Sequence, residues 1–111
     1  MHIQEREERG RVVLRIVGDM LSETTQQSLR EKVRSLATAG SKHVVLDLSG
    51  VRYMNSCGLG SLVSAFTTLR TSGGDLRLSG VTGHVRELLD ITHLDRVFSL
   101  FPTLDSAISS K

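Results

Sequence analysis

Apolar residues in this chain occur as short continuous runs, separated by longer segments in which they recur at helical spacing. Val12 to Val17 is rich in β-branched residues and ends at Gly18, which predicts a strand. Ile3 to Arg9, followed by Gly10, predicts its antiparallel partner. Val44 to Leu48 is nearly all apolar, as is typical of a strand covered on both faces, so we expect the central strand of a sheet there.

Helical spacing predicts two longer helices, one before and one after that central strand in the sequence. The first begins at Ser22 as N-cap and ends at Gly40, and its inward positions are Thr25, Leu29, Val33, Leu36 and Ala37. The second ends at Gly73-Gly74, and its inward positions are Leu59, Leu62, Val63, Phe66 and Leu69. We expect its other face to be exposed, including Ser61, Ser64 and Thr68.

The remaining elements are shorter. Leu76 and Leu78 alternate with polar residues, as in a strand, and a short helix is expected from Thr82. Val97-Phe98 predicts a last strand, and Pro102 suits the first turn of a terminal helix.

No linker or repeat interrupts this series, so residues 1–111 are expected to form one domain. The order of elements requires right-handed crossovers between parallel strands. We therefore predict an α/β fold, with a mixed four- to five-stranded sheet, a parallel core and about four helices.

Composition argues against several function classes. The 14 Lys and Arg residues are scattered, and three Phe with one Tyr provide few rings for stacking, so no nucleic-acid surface is expected. No apolar stretch suggests a membrane span or an export signal, and we expect a cytoplasmic protein. One cysteine excludes an internal disulfide, and the four histidines show no metal-ligand spacing. No cofactor or metal is implied.

The most informative segment lies between Asp47 and Val63, where a buried strand leads through a short loop to a helix. Free backbone N–H groups and the helix dipole favour an anion at such a helix start, so a phosphate on Ser56 would be stabilised there. Gly58 and Gly60 leave room for another protein's backbone or a nucleotide's terminal phosphate to approach closely.

The sequence of this segment, Asp47-Leu-Ser-Gly-Val-Arg-Tyr-Met-Asn-Ser-Cys-Gly-Leu-Gly60, resembles the motif of the STAS family, named for sulfate transporters and anti-sigma-factor antagonists. Gly18-Asp-Met-Leu21 and Gly73-Gly74 are similar to two further stretches of that family. The resemblance spans the whole chain and implies a STAS fold. It also places Ser56 at the position that a serine kinase phosphorylates. Asn55 and Leu21 depart from the pattern, since each stands where the family has an aspartate.

What the resemblance implies is a stand-alone anti-sigma factor antagonist and not an enzyme. The unphosphorylated form would bind an anti-sigma factor with ATP-dependent serine kinase activity and release a sigma factor, until phosphorylation of Ser56 breaks the complex and a serine phosphatase restores it. The residues expected to contact the partner are Met20, Leu21, Tyr53, Met54, Asn55, Cys57, Gly58, Gly60 and Ser61. Whether the protein forms a weak homodimer stays open.

Other interpretations also stay open. Without the motif, a serine before a helix is more often an N-cap than a phosphorylation site. Cys57 at a helix start is either a nucleophile or, more commonly, a small buried apolar residue. The changes at Asn55 and Leu21 leave an alternative function open, in which a STAS module that is not phosphorylated binds a small ligand or regulates a transporter or signalling complex.

Overall fold

The computed structural model describes residues 2–21 and 23–110. Within them, one sheet contains five strands: β1 (His2–Glu8), β2 (Arg11–Val17), β3 (His43–Gly50), β4 (Asp75–Ser79) and β5 (Ser99–Phe101). Helices α1 (Glu23–Thr38), α2 (Ser56–Thr71), α3 (Gly83–Ile91) and α4 (Leu104–Ser109) follow β2, β3, β4 and β5, with a 3₁₀ turn at Leu94–Arg96. The strand order is β1-β2-β3-β4-β5, and only β1 is antiparallel to its neighbour. The predicted mixed sheet with a parallel core and central β3 is confirmed.

A tight two-residue turn joins β1 to β2. Arg9 and Gly10 have φ angles of 51° and 79°. Two consecutive positive φ angles match the right-handed twist of a hairpin. This turn sets the register in which Glu8 pairs with Arg11 and Ile3 pairs with Ile16.

The two faces of the sheet have different covers. On one face, alternate strand residues such as Leu14, Leu46 and Leu78 pack under α1, α2 and α3 and form the main core. On the opposite face, Val13 and Val45 form a smaller cluster with two residues of α4. Because successive side chains of a strand point to opposite sides, β3 contributes to both clusters, which explains its continuous apolar sequence.

The last part of the chain differs from the sequence prediction. The final strand is Ser99–Phe101, because Val97 and Phe98 still donate backbone hydrogen bonds to Leu94 in the preceding turn. Pro102 lies before the N-cap Thr103 and not within the first turn of α4.

Predictions about α1 lie partly outside the described residues, and one prediction about α2 changes. Ser22 lies outside the described residues, as does the side chain of Thr25. Val63 is 38% exposed and belongs to the surface of α2, whereas Ser61 is fully buried, so the inward face of this helix is rotated from the predicted one.

Candidate functional site

Two loops run side by side at the carboxyl ends of β2 and β3. The N–H of Gly18 donates to the carbonyl of Gly50 at 3.1 Å, and the N–H of Met20 donates to the carbonyl of Tyr53 at 3.0 Å. Met20 and Met54 form a parallel bridge. These bonds extend the β2–β3 pairing beyond the sheet, so the segment that leads to Ser56 has a defined position.

Asn55 is the N-cap of α2. Its backbone is extended, and its side-chain Oδ1 accepts a hydrogen bond from the N–H of Gly58 at 3.0 Å. Its Nδ2 donates to the carbonyl of Leu21 at 3.0 Å. Asn55 therefore caps the helix and links it to the neighbouring loop, and the interpretation of Ser56 as the cap is wrong.

Ser56 is the first residue of α2 and is exposed. The cap bond occupies the N–H of Gly58, whereas the first helical N–H groups have no partner in a preceding turn. No acidic residue lies in the first turn of α2. This end of the helix therefore carries the positive end of the helix dipole without a nearby carboxylate from the same turn.

The two glycines of this turn have different roles. A Cβ atom at Gly58 would lie 2.6 Å from Cγ of Met54 and 2.7 Å from the backbone oxygen of Met20. Gly58 is buried because the two loops pack directly on the helix there, so the prediction that it leaves room for a partner is wrong. A Cβ atom at Gly60 would meet no atom within 4 Å, and Gly60 is exposed.

Not all of the predicted contact residues are accessible. Met20 is fully buried and Met54 is 2% exposed, so their side chains lie in the core under the loops and cannot offer apolar surface to a partner. Ser61 is also fully buried, and its hydroxyl donates to the carbonyl of Cys57 at 3.2 Å. These three residues support the site from below.

Other predicted residues do form a surface around Ser56. Leu21 and Tyr53 are 50% and 51% exposed. Cys57 is exposed, contrary to the common buried cysteine, and Asn55 is partly exposed. The accessible part of the predicted site is therefore an apolar pair beside the serine together with the first turn of α2. We call it the α2 surface, formed by Leu21, Tyr53, Asn55, Ser56, Cys57 and Gly60.

Sequence reasoning missed two residues that support these loops. Oδ1 of Asp19 accepts from the N–H of Tyr53 at 3.3 Å, and Nε2 of His84, at the start of α3, lies 3.2 Å from the carbonyl of Met54. The His84 ring also lies 5.5 Å from the ring of Tyr53. Asp19 stands in the Gly18-Asp-Met-Leu21 stretch and could have been found there, whereas no local pattern indicates His84.

Within the described ranges, no group of three or more His, Cys, Asp and Glu side chains could hold a metal ion. No helix in residues 23–110 is both long and apolar enough to cross a bilayer.

Comparisons with known proteins agree with this geometry. Residues 2–107 match the STAS domain family model. The Anti-sigma F factor antagonist of Paenibacillus polymyxa is 24% identical over 110 residues, covering 99% of this chain and 92% of that protein. The Anti-sigma-B factor antagonist of Bacillus subtilis is 36% identical over 72 residues, covering 65% of each chain. A crystal structure of an anti-sigma factor antagonist from Mycobacterium paratuberculosis superimposes with a TM-score of 0.86 at 25% identity, covering 98% of this chain and 92% of that one. Since the family model spans nearly the entire fold, including both loops and α2, this chain belongs to the STAS domain family.

Proposed function

We propose that this protein is an anti-sigma factor antagonist whose α2 surface binds an anti-sigma factor, and that phosphorylation of Ser56 breaks this complex. The observation that carries the proposal is an exposed serine at the first position of α2, held in place by the cap and the paired loops. The names of the relatives in Paenibacillus and Bacillus support the same role.

The chemistry of the site supports a switch that needs no refolding. A phosphate adds about −1.5 to −2 charges and three acceptor oxygens. At the start of α2 these charges are favourable for the helix itself. The same charges beside Leu21 and Tyr53 make an apolar contact with a partner unfavourable, because the phosphate would lose its hydration.

The partner is an anti-sigma factor that is also an ATP-dependent serine kinase, and a serine phosphatase restores the Ser56 hydroxyl by hydrolysis, which releases inorganic phosphate. In the transfer, the Ser56 hydroxyl loses its proton and forms a bond to the γ-phosphorus, and ADP leaves. In this scheme the kinase and the phosphatase perform the catalysis, and the antagonist acts as a binding protein. We expect it to act in the cytoplasm.

A capture experiment from lysate of the native host tests the proposal. The baits are wild type, Ser56→Ala and Ser56→Asp, and bound proteins are identified by mass spectrometry. Ser35→Asp is the matched control, because Ser35 is an exposed residue near the C-terminal end of α1 and receives the same charge. Wild type, Ser56→Ala and Ser35→Asp should retain an anti-sigma factor that Ser56→Asp releases.

The same lysate tests the modification. Incubation with ATP should add one phosphate to the peptide that contains Ser56, and Ser56→Ala should stay unmodified. Equal capture by Ser56→Ala and Ser56→Asp, together with unmodified wild type, would contradict the proposed switch.

A further inference from the structure

A second feature lies on the sheet face opposite to α1, α2 and α3. A cavity of about 110 Å³ opens there beside the start of α4, lined by Gln4, Glu5, Arg6, Val13, Arg15, Asp47 and Leu104. It holds the space of several water molecules or of one small ligand. Asp47 and Val13 are buried, so the inner wall of the cavity belongs to the central strands β2 and β3.

Asp47 gives the cavity a buried carboxylate. The residue is only 6% exposed. Its Oδ1 accepts from the N–H of Ser49 at 3.1 Å, and among the described residues no cation lies within 4 Å of its carboxylate. Burying a carboxylate without a counter-charge is unfavourable in free energy. A hydrogen-bond donor at its remaining acceptor positions would therefore stabilise it.

The neighbouring positions on the same face are also incompletely satisfied. Ser79 pairs with Asp47 in the sheet, and its hydroxyl is fully buried without a hydrogen-bond partner in the described structure. On the other side of Asp47 in the sheet lies Arg15 of β2, whose side chain is exposed and forms no ion pair with a described carboxylate. The other charged lining residues do have partners: Arg6 pairs with Glu8, and the Glu5 carboxylate pairs with Lys32.

We propose that this cavity binds a small zwitterion of amino-acid size. An ammonium group would donate to the Asp47 carboxylate, and the carboxylate of the ligand would accept from the Arg15 guanidinium. Adjacent strands lie about 4.8 Å apart, so one small molecule can reach both side chains. The ligand would bridge these two side chains, which form no ion pair with each other in the described structure.

Titration of the ¹⁵N-labelled protein with glycine and L-alanine, followed by NMR, tests this inference. The backbone N–H signals of Gln4, Val13, Arg15 and Asp47 should shift together and saturate, with a dissociation constant of about 1 mM or tighter. Acetate and methylammonium, each with only one of the two charges, should bind at least about tenfold more weakly.

Variants distinguish the site from general surface binding. Asp47→Asn keeps the oxygen that accepts from Ser49, and Arg15→Gln removes the positive charge but keeps an unbranched polar side chain; each should weaken binding at least about tenfold. Arg34→Gln, at an exposed position on α1, should bind as the wild type does. Shifts that do not saturate by roughly 10 mM, or unchanged binding by folded Asp47→Asn, would overturn the proposal.

The inference does not depend on Ser56. The Ser56→Asp variant should therefore bind glycine as tightly as the wild type, whatever the capture experiment shows.

Discussion

The amide of Asn55 makes two hydrogen bonds that no other side chain of its size can make together. Its oxygen accepts from Gly58 and its nitrogen donates to the Leu21 carbonyl. An aspartate, which the family pattern has here, could cap the helix but could not donate to Leu21. The departure at Asn55 therefore keeps the architecture and adds a link between the loops, while it removes a negative charge beside Ser56.

Substitutions at Asn55 should separate these two bonds. Asn55→Ala loses both, and we expect the free energy of unfolding to fall by about 1–2 kcal/mol for the cap and about 1 kcal/mol for the Leu21 bond. Asn55→Asp should recover most of the cap contribution. Urea unfolding measures both variants, and equal losses for Ala and Asp would show that the cap does not stabilise α2.

A phosphomimetic charge at Ser56 should not harm the fold. Since Ser56 is exposed at the start of α2, Ser56→Asp should raise the free energy of unfolding by about 0.3–1 kcal/mol at low ionic strength, and salt should reduce the gain. Thermal unfolding at two salt concentrations measures this effect. A loss of stability would argue against an anion-favouring helix start.

At the scale of elements, the first turn of α2 packs unusually close to the paired loops. Gly58 faces Met20 and Met54, whereas Gly60 faces open space. The loops are held by backbone hydrogen bonds and cannot move away from a new Cβ atom without losing them. This packing, together with the cap, holds Ser56 at the surface.

Alanine substitutions at the two glycines form a matched pair. Gly58→Ala should lower the free energy of unfolding by about 1–3 kcal/mol, because its Cβ atom would overlap a backbone oxygen. Gly60→Ala should raise it by about 0.5–1 kcal/mol, because alanine favours a helix over glycine. Chemical denaturation of both variants gives the comparison, and the account fails if Gly58→Ala is as stable as Gly60→Ala.

Most elements were predictable from the sequence because their apolar periods are simple. The β-branched runs gave β2 and β3, and the Gly18 and Gly40 boundaries were close to the observed ends. The final strand was predicted too early because Phe98 is a core residue of the turn that precedes it. Phe98 is 4% exposed and packs against Phe66. Periodicity does not distinguish a buried turn residue from a short edge strand.

The site was predictable only in part for a related reason. Motif spacing located Ser56 and its loop, but side-chain accessibility depends on the tertiary contacts between the two loops. Met20 and Met54 are apolar residues near the loop, and only their burial shows that they support it and do not face a partner. His84 reaches Met54 from α3, 30 positions along the chain, which no local pattern records.

For the whole molecule, the sheet separates two surfaces with different roles. The α2 surface lies at the carboxyl ends of β2 and β3. α4 covers the sheet face opposite to α1, α2 and α3, and the cavity with Asp47 opens on that same face. α4 has only six residues, and it is fixed by Arg77 of β4, whose Nη1 donates to the carbonyls of Ala107 at 2.7 Å and Ser110 at 2.6 Å. Arg77 is thus a buried polar residue of β4 that holds α4 against the sheet.

Loss of Arg77 should release α4 without affecting the α2 surface. Arg77→Met keeps much of the side-chain volume but leaves both carbonyls without this donor, and we expect a loss of about 1.5–3 kcal/mol. Amide hydrogen exchange should accelerate in residues 104–110 and remain unchanged in residues 56–60. Exposed Arg86, replaced by Met, is the control. Equal protection of α4 in both variants would contradict its attachment by Arg77.

In the proposed switch, one phosphate at Ser56 decides whether the anti-sigma factor is bound. The most direct measurement is isothermal titration of the purified anti-sigma factor with unphosphorylated protein and with protein phosphorylated only at Ser56. Phosphorylation should raise the dissociation constant at least about tenfold, which weakens the binding free energy by about 1.4 kcal/mol. Equal affinities for the two forms would contradict it and would favour a STAS module that is not controlled at this serine.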